Sequence, residues 1–175
     1  MPSSPPLPYA GWWSRVGASL LDGLIAFGFM IVPLGAIAVA LYVTQDEETA
    51  DTLVDVISIP FTIAFLLIYF PLTMRRLNEH NGQTWGKQAL GIRVVRQDGY
   101  PMDASHAIMR EVVIKYLLFS VLAACALFIP TVVDYLWPLW DDRNQALHDK
   151  MANTFVVRAE FGVVAPPPPP VQWGP

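Results

Sequence analysis

Residues 23–45 read GLIAFGFMIVPLGAIAVALYVTQ, 23 consecutive positions without a charged side chain. Continued back to Val16, the run is long enough to cross a hydrocarbon core about 30 Å thick as one α-helix. A helix pairs every backbone N–H and C=O within itself, as lipid requires. Two more runs follow. Val56–Met74 gives 19 uncharged residues closed by Arg75 and Arg76, and Tyr116–Val133 gives 18 between Lys115 and Asp134, with apolar character continuing through Trp140.

Composition points the same way. Hydrophobic residues make up 54% of the 175 positions and charged residues 15%, against roughly 25% charged in a soluble domain. Three buried soluble helices in so short a chain would leave almost no amphipathic helix to cover them. The expected fold class is therefore an all-α integral membrane protein with about three transmembrane helices, near 16–43, 53–74 and 112–140. The length suits one membrane domain, 9–158, with proline-rich tails at 1–8 and 159–175. Met1–Pro8 has four prolines and no Lys or Arg. The basic start of a signal peptide is missing, so the first apolar segment is expected to stay in the protein. Cys125 is the single cysteine and forms no intramolecular disulfide.

The net charge of −4 hides a segregation of signs. Asp46, Glu47, Glu48, Asp51 and Asp55 lie between the first two runs with no basic residue, whereas 75–115 holds Arg75, Arg76, Lys87, Arg93, Arg96, Arg110 and Lys115. Basic residues near membrane ends stay cytoplasmic, which predicts a cytoplasmic loop at 75–111 and a cytoplasmic amino terminus. A single third crossing would put Arg143, Lys150 and Arg158 outside, against the same rule. Val112–Trp140 is too short for two crossings at about 1.5 Å per residue. A re-entrant hairpin broken at Pro130 would return the tail inside, and the expectation leans that way.

Ile92–Arg96 is rich in β-branched residues, and Asp98-Gly99 is a turn signal. A short strand is expected there, with Thr154–Arg158 as a candidate partner. Trp12, Trp13, Tyr135, Trp137 and Trp140 suit either the headgroup region or core packing. Pro166–Pro170 favours an extended polyproline II spacer.

Asp22 is the most informative ionisable residue. A carboxylate below the headgroups costs several kcal/mol unless paired, hydrated or protonated, so it marks a bundle interior, an aqueous cavity or a satisfied packing seam. Arg15 shares its helix face but lies about 10.5 Å away in rise, so a partner for Asp22 from another segment is expected. Ala18, Ser19 and Ala26 near that face would let a second backbone approach. His148, Asp149 and Lys150 form a further ionisable cluster, read either as solvated or as a partner for Asp22, Arg15 or lipid phosphates.

Gly82–Lys87 is not a phosphate-binding loop: its glycine spacing is one residue short, and Gln88 stands where a magnesium-holding Ser or Thr belongs. His80, His106 and His148 lack metal-ligand spacing, and no hydrolase nucleophile motif is present. No enzyme activity, cofactor, metal or nucleic-acid partner is expected.

Arg15 and Asp22, Thr84, Gly86-Lys87, Gly91, Arg93, Val94-Val95, Asp98-Gly99, Arg110, and His148-Asp149-Lys150 with Thr154-Phe155-Val156-Val157 together resemble the RDD family of membrane proteins, over Tyr9–Val157. The resemblance implies a polar triad of Arg15, Asp22 and Asp149. Lys87, Arg110, His148 and Lys150 are the supporting candidates. It also implies transport of a ligand, with sodium/proton exchange in some relatives. The leading expectation is thus transport of a cation or small ligand with Asp22 as the intramembrane acidic site. The alternative is a non-catalytic assembly or regulatory factor that binds a partner protein or anionic lipid through its basic loop. Membrane lipids, a homo-oligomer or a membrane partner protein are the expected contacts, and a bacterial plasma membrane is the working location.

Overall fold

A computed structural model describes residues 8–160. The tails at 1–7 and 161–175, with the proline run, lie outside the described residues. The chain is mostly helical. Helix α1 spans Trp12–Thr44 and α2 spans Glu47–Met74, both containing proline (Pro33; Pro60 and Pro71). They are joined by a two-residue turn in which Asp46 caps α2 by accepting from Thr49 N at 3.0 Å, with Glu47 and Glu48 in the first turn. Acids at a helix amino terminus offset the macrodipole, so this acidic stretch closes the hairpin.

These two helices are long and apolar enough to cross a membrane, and their apolar surface faces outward. None of the most apolar window of α1 is buried, and only 11% of that of α2, which a soluble core helix would not show. In α1 only Ala18 and Asp22 are buried. The polarity is inverted relative to a water-soluble protein, with lipid-compatible side chains outside and an acid inside.

The third apolar run is not one helix over 112–140. Helix begins earlier, with α4 (Ala104–Ala107), continues through a π-helical stretch (Ile108–Leu118) and ends in α5 (Phe119–Cys125). Leu127 and Phe128 then take left-handed φ of 50° and 64°, and Pro130, with no N–H to donate, opens α6 (Ile129–Leu136). The chain doubles back: Lys115 Nζ lies 5.6 Å from the Tyr135 ring, and Trp12 Nε1 donates to Tyr135 O at 2.7 Å. The break expected at Pro130 falls just before it, where two successive left-handed residues reverse the chain. Among the described residues, only α1 and α2 meet the length and hydropathy needed to span.

Between α2 and α4 lie α3 (Trp85–Ala89) and β1 (Ile92–Arg96); after α6 come α7 (Leu147–Met151) and β2 (Thr154–Arg158). The strands pair antiparallel with Val94 opposite Val156, so residues 141–158 end on the same side of the molecule as residues 75–111. The start of the described chain joins them, Ala10 N donating to Val156 O at 2.8 Å. Val94, Val156, Met102 and Ala107 pack with Met74, Tyr69 and Phe70 of α2 and Ala18 of α1. This small unit is therefore seated on one end of the helix hairpin.

Candidate functional site

The Asp22 carboxylate is enclosed by donors from two other segments, α2 and α3 with its cap. Its Oδ1 accepts from Tyr69 Oη of α2 at 2.6 Å and from Gly86 N of α3 at 2.8 Å; its Oδ2 accepts from Thr84 Oγ1 at 2.6 Å, with Lys87 Nζ at 3.9 Å. Thr84 also caps α3, accepting from Lys87 N at 3.2 Å. Gly86 passes so close to α1 that a Cβ there would meet Ala18 O at 2.3 Å. The missing side chain is what brings the α3 backbone N–H onto the acid.

Lys87 points the other way, donating to Glu111 Oε1 at 2.9 Å. Burial pushes its ammonium pKa down, while the Glu111 charge opposes that shift. Glu111 also accepts from Arg110 Nη1 and lies 3.6 Å from Lys115 Nζ. Arg110 in turn donates to Asp149 Oδ1 through Nε (3.2 Å) and Nη2, and to Thr154 Oγ1 at 3.2 Å. The second Asp149 oxygen accepts from Arg15 Nη1 at 2.5 Å and Ala146 N at 3.1 Å.

Asp134 closes the network. Its Oδ1 accepts from His148 N at 2.9 Å, and its Oδ2 lies 2.7 Å from His148 Nδ1. Arg110 Nη2 sits 3.2 Å from His148 Nε2 and can only donate, so that contact makes Nε2 the acceptor and leaves the proton on Nδ1 for Asp134. Four cations (Arg15, Lys87, Arg110, Lys115) then face four carboxylates (Asp22, Glu111, Asp134, Asp149). A buried cluster tolerates ions when each is paired and hydrogen-bonded.

The structure thus splits the expected triad. Arg15 and Asp149 touch, whereas Asp22 is reached from them only through Arg110, Glu111 and Lys87. Among the supporting residues, Lys87, Arg110 and His148 belong to the network. Lys150 does not: it is exposed and pairs with Asp141. Tyr69, Thr84, Gly86, Glu111 and Asp134 carry as much of the site as the residues singled out by sequence. Glu111 and Asp134 were legible in principle as acids at the ends of an apolar run, but such acids also simply end runs. Among the described residues no group of three or more His, Cys, Asp or Glu is placed to hold a metal ion.

Burial alone would push the Asp149 carboxyl pKa up, but the charges of Arg110 and Arg15 hold it well below the carboxylate range. A carboxyl that binds its proton more weakly when folded stabilises the fold fully above its unfolded pKa of about 3.9 and loses that contribution as pH falls toward the folded value. Thermal unfolding in detergent should therefore show Asp149-dependent stability that is flat near neutrality and declines below about pH 4. An Asp149→Asn variant should lack that acid limb.

With this geometry in view, the RDD family model matches residues 9–153, which hold every residue of the network except Thr154. The chain belongs to the RDD family. Similar proteins include two from Bacillus subtilis (strain 168). The uncharacterized membrane protein YteJ is 30% identical over 159 residues, covering 87% of this chain and 83% of the relative. The uncharacterized protein YckC is 26% identical over 153 residues, covering 87% of each. No solved structure matches. This RDD protein is a membrane protein in which Arg15, Asp22 and Asp149 are all held by other groups of the same chain.

Proposed function

We propose that this RDD protein is a non-enzymatic membrane factor that assembles with or regulates a partner, a second copy of itself or another membrane protein, and that Asp22 acts as a structural pin rather than an ion carrier. The observation that supports this reading is the donor cage on Asp22. A cation site needs lone pairs, yet Gly86 N and Lys87 Nζ can only donate, and the Tyr69 and Thr84 hydroxyls already do. Carrying a cation or proton on Asp22 would require several of these contacts to open.

In this reading the amino terminus and the 75–111 unit face the cytoplasm of a bacterial plasma membrane, α1 and α2 cross it, and the broken third segment re-enters from the cytoplasmic side. The pairing of β1 with β2 supports a return of residues 141–158 to that side. The basic stretch offers little docking charge, because of the seven Lys and Arg of 75–115 only Arg75 is exposed. Arg76 is spent on Thr73 O, Gln83 O and Gln88 Oε1, and Arg96 on Asp98 and Asp103. A partner would therefore read the shape of the seated unit more than its charge.

The test is reconstitution of wild type and Asp22→Asn in vesicles at matched amounts and orientation, with proton movement followed under sodium, potassium and lithium gradients. Wild type is expected to match empty vesicles and, in cells, to crosslink to one defined partner or to itself. Flux by wild type that Asp22→Asn abolishes would overturn the reading in favour of transport.

A further inference from the structure

Arg15 uses only part of its guanidinium. Nη1 holds Asp149, while Nε and Nη2 are buried and have no hydrogen-bond partner. Those two nitrogens form the side-on edge of the guanidinium, whose parallel N–H bonds match two oxygens of a carboxylate or phosphate. Leaving such donors buried and unmet is costly, so the edge is a provision for an acceptor.

Arg15 lines a cavity of about 40 Å³ whose wall also includes Lys87, Arg110, Lys115, His148 and Ser19, and no carboxylate. The acids that neutralise these cations lie behind them. One water needs roughly 10–15 Å³, so the cavity takes about three water-sized groups, the oxygens of one oxyanion, and excludes a sugar or a base. The surrounding cluster is neutral overall when His148 is neutral. Its attraction for an anion would come from N–H donors such as the unmet Arg15 edge rather than from surplus charge, which favours a singly charged anion. Arg15 lies one turn into α1, at the end of the hairpin where the small unit is seated and, in a bilayer, at the depth of phosphate headgroups.

We propose that this cavity binds a singly charged phosphate group through the Nε and Nη2 edge of Arg15, as the phosphodiester of a membrane lipid or as free phosphate. The site does not depend on how Asp22 works. It fits a membrane factor whose seated unit is tied to the headgroup layer by one bound phosphate.

The experiment is thermal unfolding of the full chain in detergent with three additives: inorganic phosphate against chloride at equal ionic strength, phosphatidylglycerol, and diacylglycerol as the phosphate-free lipid. Arg15→Lys keeps a cation for Asp149 but deletes the edge; Ser19→Val fills the cavity and leaves every ion pair in place. Wild type is expected to show a saturable rise in Tm with phosphatidylglycerol and none with diacylglycerol, and each variant should need at least tenfold more lipid. A matching rise with inorganic phosphate would assign the site to the isolated oxyanion; a rise with phosphatidylglycerol alone would assign it to the headgroup. No rise with either phosphate source, or a rise undiminished in the variants, would overturn the proposal.

Discussion

Asp149→Asn is expected to be the most damaging single substitution in the chain, lowering stability by about 3–5 kcal/mol, the usual cost of leaving a buried charge without its partner. Asp149 is fully buried and receives both Arg15 and Arg110. An asparagine keeps one acceptor oxygen but turns an NH₂ toward one of the two arginines, so a donor meets a donor. If the NH₂ takes the Oδ2 side, Ala146 N, which accompanies Arg15 there, loses its acceptor as well, loosening the start of α7 and with it the approach to β2. Typical domains have only about 5–15 kcal/mol in total, so thermal unfolding in detergent should show a large drop in Tm and a poor yield of folded protein. The neighbouring Lys150→Ala is the control. Lys150 is exposed and only its partner Asp141 is partly buried, and pairs near the surface contribute about 1 kcal/mol or less.

Gly86→Ala should come next, at about 3 kcal/mol or more. A methyl group at this position would stand 2.3 Å from Ala18 O and 2.7 Å from Asp22 Oδ1. The first obstacle is helix backbone, which cannot swing aside as a long side chain can. Overpacking typically costs about 1–3 kcal/mol. Here α3 must also back away, giving up the bond from Gly86 N to a charged acceptor, a contact of a class contributing about 1.5–3 kcal/mol. Gly28→Ala, in the same molecule but with open space around it, should be neutral or slightly stabilising because alanine favours helix. Comparing the two by thermal unfolding separates a tight approach from glycine content in general.

The parts of this architecture that were legible in the sequence are those set by local pattern. The uncharged runs gave α1 and α2, and the β-branched Ile92–Arg96 and Thr154–Arg158 gave the strands and their pairing. Asp22 stood out because the crossing segment has to extend back past it to Val16, which puts an acid inside a helix that faces lipid. What pattern alone could not supply was direction. The basic residues of 75–115 read as a surface, yet Lys87, Arg93 and Arg110 turn inward, because their partners come from distant segments and from acids that resemble run terminators. Glu111 and Asp134 are such acids. Gly86 gave no sign of its role either, since only the crossing of α3 over α1 makes its missing Cβ matter. In the third run Pro130 marked the break, but hydropathy is blind to the two left-handed residues just before it, Leu127 and Phe128, that fold the chain back.

Whether Asp22 pins α1 to α2 and α3 is tested most directly by a double-mutant cycle between Asp22→Asn and Tyr69→Phe. Tyr69 Oη donates to Asp22 Oδ1 across the two helices. Thermal unfolding in detergent of wild type, both single variants and the double variant gives the coupling. Because a hydrogen bond to a charged group contributes about 1.5–3 kcal/mol, the pin predicts non-additivity of at least about 1 kcal/mol. Additivity within about 0.3–0.5 kcal/mol, the behaviour of independent sites, would contradict it and leave the Asp22 carboxylate free for other work.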